Sequence, residues 1–170
     1  MAVSMHSATA PVFVQILTAL SGVLDKAAAH CEAKKIDPGA LLQMRLAPDM
    51  FTFTQQVQQA TNHAVGAVAR PAGLEPPSFA GNEASFADLK ARVTQAIDFV
   101  KSVPAAKVDG SEAKPVELKF PARTLSFTAQ NYAMHFALPN FYFHATTAYD
   151  ILRHAGVEVG KRDFIGQIPS

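Results

Sequence analysis

Two side chains four residues apart, Asn140 and His144, open the last long helical pattern of this chain, and His63 lies in an earlier one. On a helix that spacing puts both groups on one face, so Asn140 and His144 point together at whatever their helix packs on. His63 follows Ala60 by three residues and precedes Ala67 by four, which sets it on or beside the inner stripe of its own helix. A metal site inside a helical bundle needs inward-facing nitrogen or oxygen donors from at least two helices. A buried polar network needs the same groups, with Asn140, His144 and Tyr149 satisfying one another.

The other candidates are worse placed. His6 lies in a terminus that reads as frayed, and His30 sits one residue off the apolar stripe of its helix. His154 is ten residues beyond His144, about 80° away on an ideal helix. His135 precedes Pro139 and reaches the site only if the chain folds back there. There is no Gly-x-Ser-x-Gly, no phosphate-cradling glycine loop and no pair of carboxylates at catalytic spacing. Asp25, Asp88 and Asp98 read as solvent-facing or capping. The single cysteine, Cys31, excludes an intrachain disulfide and suits a reducing compartment. Its spacing from Leu24 and Ala27 makes it a buried, inert thiol.

These groups must be positioned by helices. Pro11 fits a first helical position, and Phe13, Ile16, Leu17, Leu20, Val23, Leu24, Ala27 and Cys31 recur at threes and fours up to Lys34-Lys35. A second long helix carries Phe53, Val57, Ala60, Ala64, Ala67 and Val68 and stops at Pro71. Pro76-Pro77 mark a loop, and Ser85-Phe86-Ala87-Asp88 has the shape of a cap for a third helix with Leu89, Val93, Ala96, Ile97 and Val100. Residues 104–115 read as a flexible connection. Val116–Phe120 and Thr124–Phe127 alternate apolar and polar residues around Pro121-Ala122-Arg123, which predicts a hairpin with a three-residue loop. Ala129–Ala137 reads as a short helical stretch, Pro139 as a break, and Asn140–His154 as the fourth long helix, closed by Gly156. The expected fold is all-α, a four-helix bundle up-down-up-down in outline, with a short β-hairpin before the last helix and one domain over residues 1–170.

Composition narrows the function classes. Charged residues make up 17% of the chain and the net charge is +1, so neither a polyanion nor a membrane surface is recruited by charge. The basic clusters, Lys34-Lys35 and Lys161-Arg162, read as solvated helix ends, and nucleic acid is excluded as a partner. No segment approaches the roughly 18 uninterrupted apolar residues of a membrane span. The expectation is a soluble, cytoplasmic protein with no membrane partner.

Several segments, in order, carry a resemblance. Arg45-Leu46-Ala47-Pro48-Asp49-Met50-Phe51, Ala67-Val68-Ala69-Arg70, Leu118-Lys119-Phe120-Pro121, Thr124-Leu125-Ser126-Phe127 and Leu138-Pro139-Asn140-Phe141-Tyr142-Phe143-His144 with its Gly160-Lys161-Arg162-Asp163-Phe164 tail look like a bacterial, uncharacterised branch of the DinB/YfiT-like four-helix bundles. The resemblance implies a bundle in which metal-binding relatives use one histidine of the second helix and two, four apart, of the last. Those positions map to His63, Asn140 and His144, with Asn140 in place of a histidine. The candidate cofactor is then a divalent metal, zinc or nickel, although an amide oxygen is a poorer donor than imidazole.

Two functions follow. One is a non-enzymatic bundle that self-associates or binds a small-molecule ligand, favoured by the missing third histidine, the lack of a general base and the apolar last helix. The other is an enzyme in which a metal activates a thiol or water for transfer to a small electrophile. Phe136, Phe141, Tyr142 and Phe143 read as core or interface, and a homodimer would cover an all-round apolar last helix.

Overall fold

A computed structural model of the protein describes residues 3–168. Helix α1 (Ala10–Lys34) begins with proline in its first turn and ends where Lys35 turns left-handed at φ 54°. Its threes-and-fours pattern is the buried face, from Phe13 through Leu17, Leu24 and Ala27 to Cys31. By length and composition alone α1 is apolar enough to cross a membrane. In the fold that apolar stripe lies against α4 (Phe86–Ser102) and α8 (Lys161–Ile165).

A short α2 (Pro38–Leu42) is capped by the Asp37 side chain, which accepts from the Gly39 amide. Helix α3 (Phe53–Ala69) starts at a capping box in which the Thr52 hydroxyl accepts from the Gln55 amide and the Gln55 side chain accepts from that of Thr52. The Ser85 cap of α4 forms as its sequence implies, with Ser85 Oγ accepting from the Asp88 amide at 3.1 Å.

The broadest helix contacts are α3 with α7 (Leu138–His154), α1 with α4, and α3 with α4. Around the bundle the order is therefore α1, α4, α3, α7. Of the consecutive long helices only α3 and α4 lie side by side, and the other two connections cross diagonals. Those two connections carry smaller elements of the fold. The first carries α2, and the second carries α5 (Ala105–Val108) and the hairpin β1 (Pro115–Phe120) and β2 (Arg123–Thr128).

Four local expectations are corrected. Phe120 pairs with Arg123, so the hairpin turn is the two residues Pro121 and Ala122 rather than three. The stretch after Pro104 is structured, with Val108 fully buried. The His6 amide donates to Asp109 Oδ1 at 2.8 Å and Met5 is buried, so the start of the described chain is docked rather than frayed. Pro139 breaks nothing: α6 (Ala129–Asn131), a π-helical segment (Tyr132–Ala137) and α7 run on as one helix. A proline ring clashes with the carbonyl four residues back in an α-helix, and the wider π turn relieves that clash at His135.

The tail behaves as its sequence suggests. Phe164 packs edge-on to Tyr149 at 5.8 Å, Gln15 Nε2 donates to the Ile165 carbonyl at 2.9 Å, and Lys26 pairs with Asp163 at 2.7 Å. Gly166, at φ 68°, passes so close to α1 that a Cβ there would lie 2.9 Å from Ala19 Cβ. Cys31 is buried, and burial, followed by the nearby Asp37 charge, pushes its thiol above the usual value.

Candidate functional site

Gln56, Gln59, His63, Gly66 and Arg70 recur at threes and fours along α3 and its C-cap and form a polar stripe beside the apolar one of Val57, Ala60 and Ala64. Opposite it, the continuous last helix presents Tyr132, Phe136, Asn140 and His144. Strand β1 flanks the gap. Together these elements enclose a cleft of about 800 Å³ whose wall includes His63, Arg70, Tyr132, Phe136, Asn140 and Leu118.

The two sequence-singled histidines meet here. The His63 and His144 rings lie 5.6 Å apart between centroids, with planes inclined by 12°. His63 also abuts Phe136 at 5.7 Å, and His144 is flanked by Phe51 at 6.1 Å and Phe143 at 5.3 Å. His144 is 7% exposed, and its Nδ1 is 2.7 Å from Gln56 Oε1. Because Gln56 Nε2 donates to the Phe51 carbonyl at 3.2 Å, its Oε1 is the acceptor, and His144 Nδ1 must carry the proton. The lone pair of His144 is therefore on Nε2.

Both imidazoles are neutral at neutral pH. Burial lowers His144 to about 4. Burial, then the neighbouring His144 and Arg70, lowers His63 to about 4 as well. No buried side-chain polar atom lacks a partner among the described residues. His144 Nε2 and the His63 ring nitrogens make no hydrogen bond among the described residues, so they are open to solvent.

Two imidazoles on one zinc at about 2.0–2.1 Å hold their ring centroids roughly 5 Å apart, close to the 5.6 Å found. The third donor is weaker. Asn140 Nδ2 donates to the Phe136 carbonyl one turn back, at 2.7 Å, which leaves only a neutral amide oxygen. No group of three His, Cys, Asp or Glu side chains suited to a metal occurs among the described residues. The set thus falls one strong ligand short of the three protein ligands a catalytic zinc takes.

The buried-network reading is half realised, with different partners. Gln56 satisfies His144, while Asn140 turns to the Phe136 backbone and Tyr149 packs on Phe164, away from the histidines. His135 and His154 are exposed.

Sequence reading missed Gln56, Arg70 and Tyr132. Arg70 Nη1 donates to the Tyr132 hydroxyl at 2.7 Å and its guanidinium lies 5.5 Å from that ring's centroid. The pair crosses directly over Gly66, where a Cβ would collide with Arg70 Nη1 and come within 2.7 Å of the Tyr132 oxygen. The legible signal was the polar period of α3 itself, with a glycine in its middle.

Four long helices, a hairpin inserted before the last, and facing histidines from the second and last of the four define a DinB-like helical bundle. The chain is similar to the crystal structure of a DinB family member protein from Shewanella denitrificans, at 36% identity and a TM-score of 0.86, covering 97% of this chain and 93% of that one. It belongs to the DUF1993 family, a domain of unknown function, which matches residues 5–165. No curated protein matches it.

Proposed function

We propose that the protein binds a small organic molecule in the cleft between α3, the last helix and β1. The carrying observation is the cleft itself: about 800 Å³ is within the range of small-ligand sites, roughly 300–1,000 Å³. Its wall sets apolar groups such as Val116, Leu118 and Phe136 among polar and charged ones that include His63, Arg70, Tyr132 and Asn140. Neutral His63 offers the ligand one donor and one acceptor at a fixed place.

A thermal-shift screen of small polar organic molecules tests this against Gln59→Trp, a variant that fills the cleft from its rim. A true ligand at a hundredfold excess over its Kd stabilises by about 2.7 kcal/mol. The expected result is a raised Tm in the wild type and none in the variant. Equal shifts in both would sink the reading, and so would stoichiometric zinc or nickel as the sole stabilising ligand.

Self-association is a second reading, supported by a different observation. Phe143 is 55% exposed and Phe51 45% exposed, and both flank His144. Tyr142 adds a third exposed ring on the same helix. This apolar group fits the face of a second copy. Light scattering should give twice the chain mass at tens of micromolar protein and the chain mass for Phe143→Glu. A monomeric wild type removes the dimer.

A further inference from the structure

We propose that Arg70 and Tyr132 form a carboxylate clamp, so that the molecule held in the cleft is an organic acid with an apolar body. The inference rests on the reading of the cleft as a small-molecule site and names the ligand's chemical class.

The Arg70 side chain makes one hydrogen bond among the described residues, from Nη1 to the Tyr132 hydroxyl. Among the described residues the ion pairs are Lys26 with Asp163, Lys90 with Asp25, and Arg92 with Glu83, and none involves Arg70. Its Nε and Nη2 edge is therefore free. That edge is the fork that meets both oxygens of a carboxylate at once. Since no buried polar atom of the described residues is left unpartnered, the fork is open to solvent, on a residue that lines the cleft.

Tyr132 completes the clamp. Its oxygen accepts from Arg70, which leaves the hydroxyl proton for another acceptor. Burial raises the phenol above its usual range, so the proton stays available despite the opposing Arg70 charge. The geometry is built rather than incidental. Only a glycine at position 66 lets the guanidinium lie across α3 to reach Tyr132.

The rest of the wall selects among anions. Glu75 and Glu117 line the same cleft beside Lys119, so a dianion such as phosphate would meet two carboxylates. A single negative charge is the better match. Leu74, Val116 and Phe136 supply the apolar surface for the ligand's body, and neutral His63 lies two turns from Arg70, about 10 Å along the helix.

Hexanoate and its uncharged isostere hexanamide provide the test, titrated into labelled protein and followed by amide chemical shifts. Hexanoate should shift Gly66 and Arg70 saturably in the wild type and bind at least about tenfold more tightly than hexanamide, as a charge-assisted pair implies. Arg70→Gln should abolish that preference while leaving hexanamide binding intact. Gly66→Ala, which keeps the charge and displaces the guanidinium, should do the same, and Tyr132→Phe should weaken hexanoate a few-fold.

Equal binding of the two probes, or an unchanged preference in Arg70→Gln, overturns the clamp and leaves the cleft reading standing. Neither probe shifting any cleft amide removes the cleft reading, and the clamp with it. Should a variant fail to fold, the wild-type preference decides alone.

Discussion

Arg92→Met is expected to cost about 3–5 kcal/mol of stability, as does removal of one partner from a buried ion pair. Arg92 is 4% exposed and Glu83 8%, and Arg92 Nη1 meets Glu83 Oε1 at 2.8 Å. The guanidinium also donates to Thr61 Oγ1 at 2.7 Å, to Asn62 Oδ1 at 2.7 Å and to the Gln58 carbonyl at 3.3 Å, and it lies 4.3 Å from the Phe79 ring centroid. Gln58 Nε2 in turn donates to Glu83 Oε2 at 2.6 Å. Burial alone would raise the Glu83 carboxyl, but the hydrogen bonds from Arg92 and Gln58 outweigh it and hold it below the ordinary carboxylate range. Without Arg92 a buried charge is stranded and the segment carrying Phe79 and Glu83 loses its anchor on α3 and α4. Urea unfolding of Arg92→Met, Glu83→Leu and the double variant checks this. The double variant should recover part of the loss. Single-variant costs below about 1 kcal/mol would place the pair with ordinary surface bridges.

In chelator, stability should fall as pH drops from about 6.5 toward about 4. Unfolded imidazoles take up protons near 6.5, whereas folded His63 and His144 hold off until about 4. In that window the unfolded chain binds more protons, so stability rises with pH and levels above it. The gap corresponds to about 3 kcal/mol for each ring, and the His63 share already includes repulsion from a charged His144. Urea midpoints at about pH 7.5, 6 and 4.5 should show the decline, and His144→Gln should flatten it. A wild-type midpoint constant over that range would mean that the rings titrate in the fold as they do in the unfolded chain.

Much of this architecture is written locally. The α1 stripe, the Ser85 cap and the Pro71 stop are each set by residues within a turn or two, so spacing alone reveals them. His63 and His144 were legible because each lies on or near its helix's inward face, and their meeting follows once those helices pack together. Arg92 was not legible. Its ion-pair partner Glu83 and the ring of Phe79 come from a proline-rich loop whose path no periodicity encodes, and an arginine among apolar positions reads as an interruption. Gln56, Arg70 and Tyr132 escaped for another reason. Helix α3 is buried on several sides, and the apolar stripe of Val57, Ala60 and Ala64 drew the reading to one face while a polar one lay beside it.

The π-helical segment sets the angular phase of the last helix. Counted as unbroken α-helix, the twelve residues from Tyr132 to His144 would leave their side chains roughly 120° apart. Six residues wound in the wider turn lag by about one α-helical step, roughly 100°. Tyr132 and His144 are thereby brought to nearly the same azimuth, both facing α3. The wide turn works as a one-residue vernier: it rotates the upper helix until the tyrosine that holds Arg70 and the histidine that faces His63 share a single line of sight.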